Sequence, residues 1–448
     1  MIKKLTRLAE ISLAIIMCVF IAKVLNYIYV NDYYNESTSW ERAVLHDFYT
    51  LDENIDCLYL GSSHVFRDII PIQMDEINKR NNFNLATSSQ PYMASYYLLK
   101  EAIKRHDLEH VYLEMYYIIP YAFGNLDSAE VMTKNWNVLY QMPFSFNKLD
   151  YMCHLSNKKF GIMTLFPVRQ FSKHVFDAEY IKINLKQKKT ENYKNAVHVL
   201  DQNAPLFNNG FCTTTNYMKA GTFEGNTSAI QDNWIDDNSK KYLDKIIGLC
   251  QRQDIDITLF TSPMPDFRLN CMGNYDQYIN NIRSLAKKYG IHYYDFNICN
   301  EKYLNLQDDQ YYTDYDHLSY EGAILFTDIL GYVLFAEIED RQPPSDMFYS
   351  SYAEKMKCID QRIFGLDIQQ DITQAEKVYM LYSIDNLSET DVEFRVTKTR
   401  TGETQPTIVQ DWSTQNRIIF PQTETGVFVV EARPVGHKLK TNQVETPY

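Results

Sequence analysis

The chain has 448 residues, 45% hydrophobic and 23% charged, the composition of a folded protein long enough for two or more domains. A formal net charge of −13 with no offsetting basic cluster excludes nucleic acid as a partner bound through its phosphates. The eight cysteines include no C-x-x-C pair, so their spacing marks neither a zinc site nor a disulfide framework, and no metal or cofactor is expected.

Residues 1–31 read as a membrane anchor. Lys3, Lys4 and Arg7 precede the uncharged run Ile11–Ala22, and Val24, Leu25, Ile28 and Val30 extend it. Lys23 has a stem long enough to snorkel, and Tyr27 and Tyr29 suit an interface. Basic residues ahead of the span keep the amino terminus in the cytoplasm and send the rest of the chain across. No A-x-A site follows, so the segment is expected to remain uncleaved. A polar, Tyr-rich neck then covers Asn31–Asn54.

An α/β pattern begins with a strand at Cys57–Leu60, which breaks into Gly61-Ser62-Ser63-His64 ahead of a helix near Pro71–Arg80. A turn of this kind can leave a serine hydroxyl at the carboxyl end of a strand, where open α/β sheets place their ligands. A short strand Phe83–Leu85, a helix Met93–Arg105 and a strand His110–Met115 follow. That βαβαβ order argues for a parallel sheet with right-handed crossovers. From about residue 120 to 235 the pattern breaks into aromatic, weakly helical and Asn-rich pieces, an insertion of a size that suits a lid or substrate-binding surface. The core resumes with helix Ser239–Arg252, strand Ile255–Phe260, helix Tyr275–Tyr289, strand His292–Asp295 and a final helix Tyr320–Phe335. Just before that helix stands Asp314-Tyr315-Asp316-His317.

Residues 32–340 are thus expected to form one α/β domain, and 341–372, with Pro343 and Pro344, a linker. Over 373–448 the β-prone segments Val378–Ser383, Asp391–Lys398, Arg417–Phe420 and Gly426–Arg433 are spaced for a small antiparallel β-sandwich. This accessory domain carries no catalytic cluster and suits a partner or a glycan.

A serine nucleophile needs a base, and the base needs a carboxylate that holds its tautomer and stabilises its charged form. His317 supplies the base, while spacing leaves Asp314 and Asp316 both open. Together, Gly61-Ser62-Ser63 and Asp314-x-x-His317 resemble the SGNH/GDSL hydrolase superfamily, where Gly-x-Ser follows the first strand and Asp-x-x-His precedes the last helix. The likeness covers about Asp56–Leu334 apart from the insertion. The Gly-Ser-Ser form is similar to membrane-anchored members that modify surface polymers, including the type that transfers D-alanine to teichoic acids.

The resemblance implies a flavodoxin-like three-layer core with a parallel sheet, Ser63 as nucleophile, His317 as base and Asp314 as its acid. The backbone N–H groups of Ser63 and Ala86 would form the oxyanion hole. Two departures stand out: Ala86 falls where the superfamily carries a glycine, and the third strand ends in Glu114 with no matching asparagine. Ser62, His64, Asn84 and Glu114 are candidate substrate contacts, with helix-start capping equally open for His64. The expected activity is that of an extracytoplasmic, membrane-anchored serine esterase or O-acyltransferase acting on a cell-surface polysaccharide or acylated glycopolymer. A membrane-bound O-acyltransferase is an expected partner, and the residues leave water and a sugar hydroxyl both open as acceptor. A second reading is a catalytically degenerate binding or scaffold module in an envelope polysaccharide-modification complex.

Overall fold

In the computed structural model the described residues are 2–30, 39–123, 125–156, 161, 164–196, 207–213, 218, 234–270, 272–358, 363–371, 376–384, 392–436 and 442–448. Residues 31–38 of the expected neck and the parts of the insertion at 197–206 and 219–233 lie outside them, while the rest of that neck is not a polar stalk but the helix Ser39–Thr50, which buries Trp40, Val44, Leu45 and Phe48. The chain divides into two compact units, each drawing on separate stretches. The first comprises Met1–Thr213, Asn233–Thr261 and Leu285–Tyr294, and the second Thr214–Asp232, Ser262–Ser284 and Asp295–Tyr448.

The first unit is built on a parallel sheet. Its strands are β1 (Cys57–Leu60), β2 (Asn82–Asn84) and β3 (His110–Glu114), followed, after a small hairpin of β4 (Phe207–Asn208) and β5 (Phe211–Cys212), by β6 (Asp256–Thr261) and β7 (His292–Asp295). The sheet order is β2-β1-β3-β6-β7, and β1 pairs in parallel with both β2 and β3, as β3 does with β6. Counting only its own strands the order is 2-1-3-4-5, that of a flavodoxin-like sheet, with the switch point between β1 and β3. Every residue of β1 is buried, as a strand covered on both faces requires, so its apolar run does not alternate.

The flanking helices follow from local chemistry. Asp236 accepts the N–H groups of Asn238 and Ser239 and starts the helix Asp237–Arg252, which buries Tyr242, Leu243, Ile246, Ile247 and Cys250 at helical spacing. This helix packs on the helix Tyr92–Arg105, which buries Tyr97, Leu98 and Ala102. The insertion supplies the helices Ala129–Gln141, Phe146–His154 and Ala178–Gln187. Asn209 and Gly210 form the β4–β5 turn with φ of 48° and 79°, the two-residue geometry that favours Asn-Gly. Its Asn209 carbonyl accepts the Asn84 N–H at 2.9 Å, fastening the hairpin to the end of β2.

The second unit holds the Asp314–His317 loop, the helix Tyr320–Ile338 and two antiparallel sheets. The sheets comprise β8 (Leu366–Asp371), β9 (Lys377–Ser383), β10 (Val392–Arg400), β11 (Thr407–Ser413), β12 (Arg417–Phe420), β13 (Gly426–Pro434) and β14 (Asn442–Pro447). Their orders are β11-β10-β13-β14 and β12-β9-β8. Leu366, Leu381 and Phe420 from one sheet share a core with Phe394, Val396, Phe428 and Val430 from the other, which makes this a β-sandwich. Three strands lie outside the four segments expected from sequence. β11 is an edge strand whose residues are mostly exposed, so it shows no apolar alternation, and β8 falls within the stretch expected as linker.

Candidate functional site

The Gly61–His64 turn stands at the carboxyl end of β1, at the switch point of the sheet. Ser62 is the N-cap of a short helix, Ser63–Asp68, and its Oγ accepts the His64 N–H. Gly61, Ser62 and His64 are buried, whereas Ser63 keeps part of its surface. Gly61 is required by space: a Cβ there would lie 2.5 Å from Glu114 Cβ and 2.6 Å from Val65 Cγ2.

Glu114, the last residue of β3, is the platform beneath this turn. Its Oε2 accepts the Ser62 N–H at 2.5 Å, and its Oε1 lies 3.1 Å from His64 Nδ1. Both side chains are only 1% exposed. His64 Nδ1 is also 3.1 Å from Ser62 Oγ, and the ring packs edge-on against Tyr116 at 4.2 Å. A buried carboxylate costs much less when it accepts N–H groups, and this one accepts the Ser62 N–H and faces the His64 imidazole. Asn84 is wholly buried and donates to the carbonyls of Val65 and Ile69 at 3.0 and 2.8 Å, tying the short helix to β2. Ala86 is buried too, and its carbonyl accepts Trp40 Nε1 at 3.0 Å. The four candidate substrate contacts are therefore buried residues, with Ser62, His64 and Glu114 bonded to one another and Asn84 to the helix. Sequence reading missed this clamp; a glutamate closing the apolar strand His110–Glu114 is the signal for it.

In the second unit, Tyr312 and Leu318 pair across the Asp314–His317 loop, and the Thr313 N–H donates to the His317 carbonyl at 2.9 Å. Asp314 Oδ1 accepts the N–H groups of Asp316 and His317 at 2.8 and 2.9 Å. Both its carboxylate oxygens lie 2.9 Å from His317 Nδ1. Partial burial pushes the Asp314 carboxyl up, but the hydrogen bonds and charge of His317, with the two backbone N–H groups, bring it well below the usual carboxylate range. A proton held on Nδ1 by Asp314 leaves the basic lone pair on Nε2, the tautomer a general base uses. Asp316 turns elsewhere and pairs with Arg268 Nε at 3.0 Å. Of the two carboxylates that spacing left open, Asp314 and not Asp316 lies beside the histidine. Ser319 then caps the helix Tyr320–Ile338 by accepting the Gly322 N–H.

The two clusters lie in separate units, Ser63 with Ser62, His64, Asn84, Ala86 and Glu114 in the first and Asp314 with His317 in the second. Among the described residues no group of three or more His, Cys, Asp or Glu could hold a metal ion. Burial pushes the thiols of Cys57, Cys250 and Cys299 up to about 12, as fits packing residues.

No family model matches the chain, and no curated protein matches it. Among solved structures it is similar to a GDSL-like lipase from Bacteroides thetaiotaomicron, at 11% identity and a TM-score of 0.30, over 68% of this chain and 99% of that one. The chemistry argued below therefore rests on the residues themselves.

Proposed function

We propose that this chain is a membrane-anchored serine esterase or O-acyltransferase that works outside the cytoplasm on an acylated surface glycopolymer. The observation that carries the reading is the pair of preorganised halves: a serine kept accessible on a turn whose other residues are buried, and a histidine fixed in its basic tautomer by an aspartate. In this reading the two halves form one site. Ser63 Oγ attacks the ester carbonyl carbon while His317 Nε2 takes the hydroxyl proton. The Ser63 and Ala86 N–H groups hold the oxyanion. Collapse of the tetrahedral intermediate breaks the ester C–O bond, and His317 returns the proton to the departing alcohol. Water or a sugar hydroxyl then attacks the acyl-Ser63 ester with His317 again as base, and a membrane-bound O-acyltransferase is the partner that could supply acyl groups.

The anchor part of the reading is supported by the amino-terminal helix. Its stretch Glu10–Tyr29 has 20 residues, is strongly apolar and is almost wholly uncovered by the rest of the described chain. Twenty residues of helix span about 30 Å, the thickness of a bilayer's hydrocarbon core. Ile16 and Phe20 are 64% and 66% exposed, side chains that ask for an apolar solvent. Lys3, Lys4 and Arg7 before the span favour an inside amino terminus.

One observation favours the second reading, a binding or scaffold module: β3 ends in Glu114, an acceptor, where the resemblance leads one to expect an amide donor. Fluorophosphonate labelling of the full chain separates the two. Labelling that survives Ser62→Ala and is lost in both Ser63→Ala and His317→Ala supports the esterase reading. Labelling unaffected by His317→Ala would show that the halves do not act as one site. No labelling of the wild type, with no turnover of activated esters, leaves the module.

A further inference from the structure

The carboxyl end of the amino-terminal helix is docked into the insertion rather than left as a free stalk. Ala22 and Val30 are 8% and 3% exposed, although most of the helix around Ala22 is open. The 3-10 stretch Pro167–His174 packs along this end of the helix. Val168 N–H donates to Asn26 Oδ1 at 3.2 Å, and Tyr29 Oη donates to the Val175 carbonyl at 3.2 Å. The helix Ala178–Gln187 and the residue after it serve the last-turn carbonyls: Asn184 donates to Ile28 and Val30, Tyr180 to Tyr29 and Lys188 to Tyr27. A helix end leaves such carbonyls unsatisfied, and here side chains some 150 positions downstream fill them. The 3-10 stretch therefore lies level with the last two turns of the helix.

At the far end of that stretch stands Phe176, 99% exposed. It is not on a loose loop. The Asp177 N–H donates to the His174 carbonyl at 3.0 Å, the His174 ring stacks on Tyr180 at 4.0 Å and Asp177 caps the next helix. The turn is built rigid and still presents an uncovered aromatic ring. Phe166, at the other end of the stretch, is 38% exposed, and Lys173, three residues before Phe176, is exposed too.

We infer that Phe166–Phe176 is a second membrane contact, lying in the lipid interface beside the anchor, with Phe176 set at the boundary of headgroups and acyl chains. The inference rests on the anchor reading and goes beyond it. If Glu10–Tyr29 spans the bilayer, its last turns mark the outer interface, and whatever is fastened alongside them sits at that depth. An exposed ring at that depth finds the apolar medium that water does not provide, and Lys173 can keep its ammonium among the headgroups. The consequence is an anchor and a folded unit joined as one rigid body at the membrane surface.

The test uses the full chain with Phe176→Trp, reconstituted in phosphatidylcholine–phosphatidylglycerol vesicles with bromine atoms placed shallow on the acyl chains. Compared with the wild type, whose tryptophans are Trp40, Trp136, Trp234 and Trp412, the variant should show an added emission component that shallow bromines quench strongly. Alkaline carbonate extraction of the same vesicles reports on the span alone. A chain that resists extraction but whose added emission component is unquenched overturns the interfacial contact and spares the anchor. A chain that is extracted overturns the anchor reading, and the contact with it. A photo-crosslinking residue at position 176 that captures a protein in native membranes, rather than lipid, also overturns the proposal.

Discussion

The Gly61–His64 turn and the Asp314–His317 loop are both short polar segments that carry the residues of the proposed site, yet they are held in place by opposite means. The histidine of the loop is held by a neighbour along the chain. Asp314 reaches two backbone N–H groups and an imidazole, all within three residues. The turn is clamped from afar: Glu114 lies 52 positions from Ser62, and Asn84 lies 15 and 19 positions from the carbonyls it binds. A local loop can be edited with little effect on folding, whereas a buried clamp ties activity to stability. That difference can be measured.

On the proposed function, the largest effect is expected from Ser63 and His317. Ser63→Ala or His317→Ala should lower turnover of an activated ester by roughly a millionfold, each to a similar extent, because triad members fail as a unit. Initial-rate assays on the two single variants and the double variant check this, and a double variant much worse than either would break it. Next comes Asp314→Asn, which keeps the loop's shape but favours the wrong histidine tautomer. We expect a loss of about ten-thousandfold in kcat with a modest fall in Tm, because the carboxylate that accepts from His317 and two backbone N–H groups is gone.

Glu114→Ala attacks the other half. It leaves the Ser62 N–H without its buried acceptor and removes the carboxylate facing the His64 ring, and should cost about 2–5 kcal/mol in chemical denaturation. Glu114→Gln retains an acceptor for the Ser62 N–H and should recover part of that loss. If Glu114→Ala were as stable as the wild type, the contrast drawn between the two regions would fall.

Smaller again is Asp316→Asn. The Asp316–Arg268 pair is partly exposed, with side chains 28% and 12% accessible, so about 1 kcal/mol or less is at stake, and activity should stay within a few-fold of the wild type. The finest effect is one of pH. The Asp314 carboxyl is lowered in the folded state, so its contribution to stability is full above the unfolded value of about 3.9 and is lost as pH falls through the folded value. Denaturation midpoints measured downward from pH 5 should therefore drop less steeply for Asp314→Asn than for the wild type.

Much of this protein was legible in the sequence because it depends on neighbours along the chain. β1, β7, β12 and the helix Tyr275–Tyr289 have the bounds their apolar patterns imply, and the other core elements shift by one to three residues at an end. The Asp-x-x-His loop could be read because a carboxylate three residues before a histidine can meet it within one turn of chain. The exposed edge strand β11 could not be read, since nothing covers it to demand an apolar face.

Tertiary structure decided what spacing left undetermined. Asp316 was set aside by Arg268, 48 residues away in sequence, so no local rule separates it from Asp314. Ser62 and Ser63 are separated in the sequence only by the Gly-x-Ser resemblance, not by any local physical rule. Folding buries the first beside Glu114 and leaves the second accessible, because β3 happens to lie next to β1 and ends in a carboxylate that takes the Ser62 N–H. Local pattern is set by torsional preference and periodic burial, which act over a few residues. The identity of a site is set by which side chains find a partner once distant strands pair, and that is known only from the fold.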